Sequence, residues 1–287
     1  MPDGSEGAVV ALGLGAALAW GAADFGGGLA SRRAPLFGVV FAAASIGLVI
    51  AIVAAVVRAE PVPGPLDVAW SALAGVAGAV GILALYGGLA AGRMGVVAPV
   101  TGTLAAAVPV VVGILLEGLP GPLQLVGIGL AFVAVVLVSR SATADPDERP
   151  SGVSYGIAAG LGLGLLLVAL SRVTEGLTFG PLAILRAVQL VIVGGTILVA
   201  RREWRFQRSM LPMVAVVAVL DVGGNALGLL AVQVGPLAIA AVLTSLYPVV
   251  TVVLATLVLD ERLNRGHALG VLCALTAIVL IAGGGAR

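Results

Sequence analysis

Three charged residues interrupt long apolar runs in this sequence: Asp24, Arg186 and Asp221. If these runs cross a membrane, each charge costs about 2.5–3.5 kcal/mol at the bilayer centre, and it must therefore face protein or water. Arginine can hold a carboxylate or a phosphate through two parallel hydrogen bonds. Two roles therefore stay open for Arg186, a structural ion pair with Asp221 or a contact to an anionic group of a substrate.

Other polar and aromatic residues lie near these charges or within further apolar runs. Asn225 follows Asp221 by one helical turn, so the two share a helix face, and Gln189 lies close to Arg186 on its own segment. We expect the aromatic residues to form apolar walls. The sequence predicts a substrate cavity at the membrane midplane from Trp20, Arg186, Gln189, Asp221, Asn225 and Tyr247.

Asp24 precedes three consecutive glycines, Gly26 to Gly28, which weaken a helix. One interpretation is a gate or coupling site with a protonatable carboxylate. The other is a helix-end aspartate bonded to Arg32 or Arg33.

Pro248 interrupts another apolar run and frees the backbone carbonyl near Thr244. An unwound turn inside a membrane is tolerated only against protein or a cavity. Thr244, Ser245 and Tyr247 are therefore either cavity lining or part of a packing kink.

The amino-acid composition indicates that lipid, not water, surrounds most of this chain. The 287-residue chain is 60% hydrophobic and 10% charged, against about 25% charged residues in soluble domains. The net charge of +1 does not favour nucleic-acid binding. Cys273 is the only cysteine and His267 is the only histidine. We therefore expect no disulfide, no metal site and no cofactor. The lipid bilayer is thus the expected partner, together with a small-molecule substrate.

The fold class predicted is all-α and integral to the membrane, because a spanning helix needs about 20 apolar residues and ten such segments are present. They fall near residues 7–29, 36–57, 68–92, 95–116, 120–139, 152–171, 180–200, 210–233, 235–259 and 266–284.

The two halves of the chain look alike. Gly95, Pro109 and Glu117 recur in the same order as Gly235, Pro248 and Asp260. We therefore predict one five-helix repeat at 1–139, a polar cytoplasmic linker at 140–150 and a second repeat at 151–287. Because five is an odd number of crossings, the second repeat enters the membrane from the opposite side. The two repeats therefore have inverted topology, as in many secondary transporters.

Arginine distribution predicts the orientation. The connections after odd-numbered segments hold 11 arginines and the other side holds 3. By the positive-inside rule both termini face outside. Fifteen arginines with no lysine are typical of GC-rich bacterial coding, so we expect the bacterial cytoplasmic (inner) membrane.

Three stretches of the sequence resemble the drug/metabolite transporter superfamily, EamA type: LAWGAADFGGGLASRR (18–33), PLAILRAVQ (181–189) and GPLAIAAVLTSLYPVVTVVLATLVLDERL (235–263). The resemblance covers nearly the whole chain as two repeats. It implies ten helices, no ATPase domain, and export or exchange of small metabolites.

We therefore expect a secondary transporter, an exporter or exchanger of a small metabolite such as an amino acid or a related amphipathic compound. The alternatives are a multidrug or cation efflux carrier, an intramembrane enzyme and a channel. No HExxH motif is present, and the single histidine, His267, lies at the junction between the ninth and tenth segments, which disfavours an enzyme. The driving force is either the substrate's own gradient or protons, which would use Asp24 or Asp221. The sequence does not indicate an oligomeric state.

Overall fold

The structure is a computed structural model, and it describes residues 3–31, 33–91, 94–141, 152–259 and 265–283. Most of the predicted linker, residues 142–150, lies outside the described residues, as does Asp260. The described ranges contain these α-helices: α1 Asp3–Ser31, α2 Leu36–Val57, α3 Pro65–Ala91, α4 Met94–Glu117, α5 Pro122–Ser141, α6 Val153–Leu170, α7 Phe179–Val199, α8 Leu211–Val234, α9 Leu237–Thr244, α10 Tyr247–Leu259 and α11 Arg265–Gly283.

The outside of the helical bundle is apolar. Large aliphatic side chains such as Val56, Leu115 and Leu198 are 73%, 77% and 79% exposed. Water would penalise such a surface, whereas hydrocarbon does not. Within the described ranges, seven helices are long and apolar enough to cross a membrane: Gly7–Gly27, Leu36–Val57, Pro65–Leu85, Val100–Glu117, Val153–Leu170, Phe179–Val199 and Arg208–Val234.

The ninth predicted segment, 235–259, is not one continuous helix. It divides into α9 and α10 at Ser245 and Leu246, where the backbone forms tight turns such as Leu246 N–H to Leu243 O at 3.3 Å. Pro248 follows directly and has no N–H to offer the Thr244 carbonyl, so one helical hydrogen bond is lost at this point. Each part is too short to cross the bilayer alone.

Helix packing repeats between the two halves. α1 packs against α8, α9 and α10, and α6 packs against α3 and α4. Likewise α2 contacts both α7 and α8, while α7 contacts both α2 and α3. The last helices of the two halves, α5 and α11, pack against each other. If each helix is exchanged for its counterpart in the other half, this set of contacts is reproduced.

One end of the bundle, which we call the capped end, carries the connections 58–64, 118–121, 171–178 and 235–236. Buried leucines close it, including Leu170, Leu182, Leu185 and Leu229, each no more than 1% exposed. The opposite end, the basic end, carries residues 33–35 and the connection 200–210 with four exposed arginines. There the Trp204 ring meets Phe41 edge-on at 6.1 Å, which fixes the connection against α2.

Three carboxylates of the first half accept backbone hydrogen bonds from the second half at the capped end. The Glu60 Oε2 atom accepts N–H bonds from Thr178, Phe179 and Gly180 at 3.2, 2.8 and 3.0 Å, at the N-terminus of α7. Donors there are unpaired within the helix, and the helix dipole favours an anion.

The other two carboxylates act in the same way. Asp67 Oδ1 accepts the Thr174 N–H at 2.8 Å, and Glu117 Oε2 accepts the Leu237 N–H at the start of α9, also at 2.8 Å. These bonds, together with those of Glu60, join the two halves at the capped end.

Candidate functional site

A cavity of about 170 Å³ lies among the helices of both halves. Its lining runs from the middle of the bundle toward the basic end, as the positions of Gly27 on α1 and Val39 on α2 show. The buried leucines of the capped end lie beyond its other limit. The seven residues that the sequence predicts for a substrate or coupling role all line it: Trp20, Asp24, Arg186, Gln189, Asp221, Asn225 and Tyr247.

Arg186 is the centre of a polar cluster on α7 and α8. Its Nη2 atom forms an ion pair with Asp221 Oδ2, and its Nη1 atom donates to Gln189 Oε1 at 2.9 Å. Gln189 lies three residues further along α7, so both side chains project from one face. The guanidinium is thus held by two acceptors within the protein.

Asn225 completes this cluster from α8. Its Nδ2 atom donates to the backbone carbonyl of Asp221 at 2.7 Å and to Asp221 Oδ1 at 3.1 Å. The Arg186 side chain is 7% exposed and that of Asp221 is 31% exposed. Both residues line the cavity, and Asp221 is the more exposed partner of the pair.

Trp20 forms a wall because α1 and α8 approach closely at glycines. A Cβ built on Gly224 would lie 2.6 Å from Cδ1 of Trp20, and one on Gly228 would lie 3.1 Å from Cη2. The indole therefore packs directly against α8 at these glycines, and any larger residue at position 224 would displace it.

Asp24 lies one turn after Trp20 on α1 and faces the same cavity. Its carboxylate is close enough to that of Asp221 for the two charges to interact. The interpretation that Asp24 pairs with a helix-end arginine finds no support among the described residues, since the ion pairs there are Arg58–Glu60 and Arg186–Asp221. Arg32 lies outside the described residues.

The break between α9 and α10 also reaches the cavity. Thr244 and Ser245 line it, and their hydroxyls donate to the carbonyls of Ala241 and Val242 at 3.0 and 2.8 Å. Tyr247 lines it from the first turn of α10. Because hydroxyls satisfy carbonyls of the preceding turn, the unwound segment is stable beside a cavity.

Sequence reasoning missed the apolar lining from α2, α3 and α6, such as Ala43, Gly78 and Leu163. Such residues are abundant throughout this chain, and only their helix packing distinguishes them. Gly78 is one example: a Cβ there would lie 2.7 Å from Nε2 of Gln189, so a larger residue would displace the Gln189 amide. The series of glycines in 75–81 was the detectable signal.

The apolar helices, their packing repeat and the cavity among the helices of both halves define a multi-pass membrane protein built from two similar halves. The sequence matches the EamA-like transporter family twice, over residues 7–140 and 150–283. The chain belongs to this family, within the drug/metabolite transporter superfamily, and is a membrane transporter of small solutes by that membership.

Comparison with solved structures supports the fold. A protein of known crystal structure is similar over 95% of each chain, with a TM-score of 0.76 and 16% sequence identity. At that identity the likeness concerns the fold alone. No curated protein matches the chain by sequence.

Proposed function

We propose that this protein is a secondary transporter that exports or exchanges a small metabolite, such as an amino acid or a related amphipathic compound. It acts by alternating access in the bacterial inner membrane. One observation supports this most: polar and aromatic side chains from both halves, Trp20 and Asp24 on α1 with Arg186 and Asp221 on α7 and α8, line one cavity. Transporters built from repeats bind substrate at such an interface.

Cavity size favours a small metabolite over a large drug. An engineered cavity of about 150 Å³ holds benzene, whereas drug-sized ligands occupy pockets of about 300–1,000 Å³. The cavity here, at about 170 Å³, is close to the smaller value. The substrate we propose is therefore a molecule of about one ring or a short chain with a polar head.

The arrangement of charges argues against an intramembrane aspartyl enzyme. Such chemistry needs two carboxylates that share a proton. Here Asp221 is engaged by Arg186 and Asn225, and Asp24 faces it from another helix. A binding role suits this geometry better than a catalytic one.

Alternating access has a physical basis in the two ends of the bundle. At the capped end the halves are joined through Glu60, Asp67 and Glu117, and buried leucines seal the interior. We propose ten membrane crossings, with α9 and α10 forming one crossing between them, and repeats at 1–139 and 151–287. An inverted repeat allows the second conformation to reverse which end is sealed.

Reconstituted liposomes test this function directly. We expect saturable uptake of labelled substrate and counterflow when the liposomes are loaded with unlabelled substrate, found by screening amino acids, nucleosides and organic cations. Protein-free liposomes are the control. Uptake that rises linearly with concentration and shows no counterflow would indicate a channel, and an imposed pH gradient would separate proton coupling from facilitated exchange.

A further inference from the structure

The cavity presents more negative than positive charge. Asp24, Arg186 and Asp221 are the charged residues among its described lining. Arg186 and Asp221 neutralise one another, and Arg186 is also bound to Gln189. Asp24 forms no ion pair with any described residue, so its carboxylate has no compensating cation within the part of the chain that the structure describes.

The exposure of the charged side chains also favours negative charge at the cavity surface. The Arg186 side chain is 7% exposed, and its guanidinium is already bound by Asp221 and Gln189. Asp221 is 31% exposed and interacts electrostatically with Asp24. A solute between α1 and α8 therefore meets two carboxylates.

Nothing else in the described lining changes this balance. The residues contributed by α2, α3, α4, α6 and α9 include no titratable side chain. The remaining titratable group is the Tyr247 phenol, which lies close enough to Asp24 for the two to interact. The groups that face Asp24 are thus Asp221, its partner Arg186 and Tyr247.

The walls beside Asp24 suit an organic cation. Trp20 lies one turn away on the same face of α1, and Tyr247 lines the cavity from α10. An ammonium over the face of tryptophan or tyrosine gains about 0.5–2 kcal/mol, more where water is excluded. An anion would instead be repelled by two carboxylates.

We propose that the substrate carries an organic ammonium group and that Asp24 is its counter-ion, with the exposed edge of Asp221 beside it and Trp20 and Tyr247 as walls. This proposal rests on the proposed transport function and names its substrate class. A carboxylate on the substrate finds no free cation here, so an amine binds more tightly than the matching amino acid.

Calorimetric titration of the full chain in nanodiscs tests this with four probes on one skeleton: phenethylammonium, phenylalanine, 2-phenylethanol and 3-phenylpropanoate. We expect the ammonium to bind best and the propanoate worst. Asp24→Asn should weaken ammonium binding by at least about tenfold and leave 2-phenylethanol unchanged, whereas Asp24→Glu should retain most of it. Glu175→Gln, an exposed acid at the capped end, is the matched control.

The pH profile tests the same group without any substitution. Protonation of Asp24 removes the counter-ion, so ammonium affinity should fall as pH is lowered, while 2-phenylethanol affinity should not change. Preference for the propanoate, or equal ammonium affinity in wild type and Asp24→Asn at every pH, would overturn the proposal. Asp24-dependent amine binding without counterflow would instead contradict the transport function and leave the binding site standing.

Discussion

Arg186 and Asp221 differ from surface ion pairs in what their loss would cost. Both lie among apolar helices, and removing one partner leaves the other charge without its counter-ion. In soluble proteins such a loss costs about 3–5 kcal/mol, whereas removing both charges can be neutral. The same pair therefore serves stability, function or both, and substitutions can separate these roles.

We expect Arg186→Gln to lower the free energy of unfolding by about 3 kcal/mol, because it strands the Asp221 carboxylate. The double change Arg186→Gln with Asp221→Asn should recover most of this loss. Denaturant unfolding of the purified protein measures both, and Arg172→Gln, an exposed arginine, is the control. If the double variant is stable and still transports at the wild-type rate, the pair is only structural and its assignment to the site is wrong.

Two adjacent glycines on α8 offer a matched comparison. A Cβ on Gly224 would lie 2.6 Å from the Trp20 ring, while one on Gly223 would meet nothing within 4 Å. Alanine improves helix propensity by about 1 kcal/mol at either position. Gly223→Ala should therefore be neutral or stabilising, and Gly224→Ala should displace the indole.

The measurement is thermal unfolding together with substrate uptake. We expect Gly224→Ala to lower both the Tm and uptake, and Gly223→Ala to lower neither. Equal behaviour of the two variants would mean that Trp20 does not depend on this close approach.

At the scale of the helix, the sequence predicted most elements well, because a long apolar run in a membrane protein forms a helix in nearly every case. The bounds of α2 agree with the predicted 36–57, since Arg58 and the prolines that follow end the apolar run there. The break at Ser245 and Leu246 was harder to place. Pro248 marked a weak point, but whether a proline bends or divides a helix depends on the neighbouring hydroxyls and packing.

Contacts to backbone atoms were beyond sequence reasoning. Glu60 and Asp67 looked like ordinary acids of a polar connection, yet each binds N–H groups more than 100 residues away. Their partners carry no side-chain signature, because every residue except proline has an N–H group. Asp221 and Arg186 were predictable, since charge inside an apolar run is rare.

The Glu60 contact predicts a shift in conformation. Three charge-assisted bonds hold the N-terminus of α7, and Glu60→Gln weakens them by about 1 kcal/mol in total if the amide keeps part of the geometry. The capped end should then open roughly fivefold more often. Maleimide labelling of Val173→Cys in a Cys273→Ser background reports this, since Val173 is buried there.

Glu175→Gln is the control for this measurement, because Glu175 is an exposed acid of the same connection. The labelling rate should rise with Glu60→Gln and stay unchanged with Glu175→Gln. An unchanged rate in both would mean that the Glu60 bonds do not hold the capped end closed.

At the scale of the whole molecule, the two halves share details that sequence comparison cannot reveal. α2 and α7, which correspond in the two halves, both end with a non-glycine residue at positive φ: Ala59 at 49° and Arg201 at 48°. Both residues lie two positions after the last helical residue, as in a left-handed helix cap. Corresponding helices thus end in the same backbone geometry.

The arginines at the two ends of the bundle predict its orientation. The capped end and the basic end face opposite sides of the membrane if the helices span it. The basic end carries exposed Arg33, Arg201, Arg202, Arg205 and Arg208, whereas the capped end carries Arg58 and Arg172. By the positive-inside rule we expect the basic end in the cytoplasm and both termini outside.

Single cysteines test this orientation. In a Cys273→Ser background, Ser5→Cys should react with an impermeant maleimide on intact cells, and Ala144→Cys should react only after permeabilisation, because it lies in the connection between the repeats. Denatured samples of both variants control for expression and thiol reactivity. Labelling of position 144 but not position 5 would reverse the orientation, so that the cavity would extend toward the outside. Labelling of both on intact cells would contradict five crossings in the first half, and with it the inverted repeat.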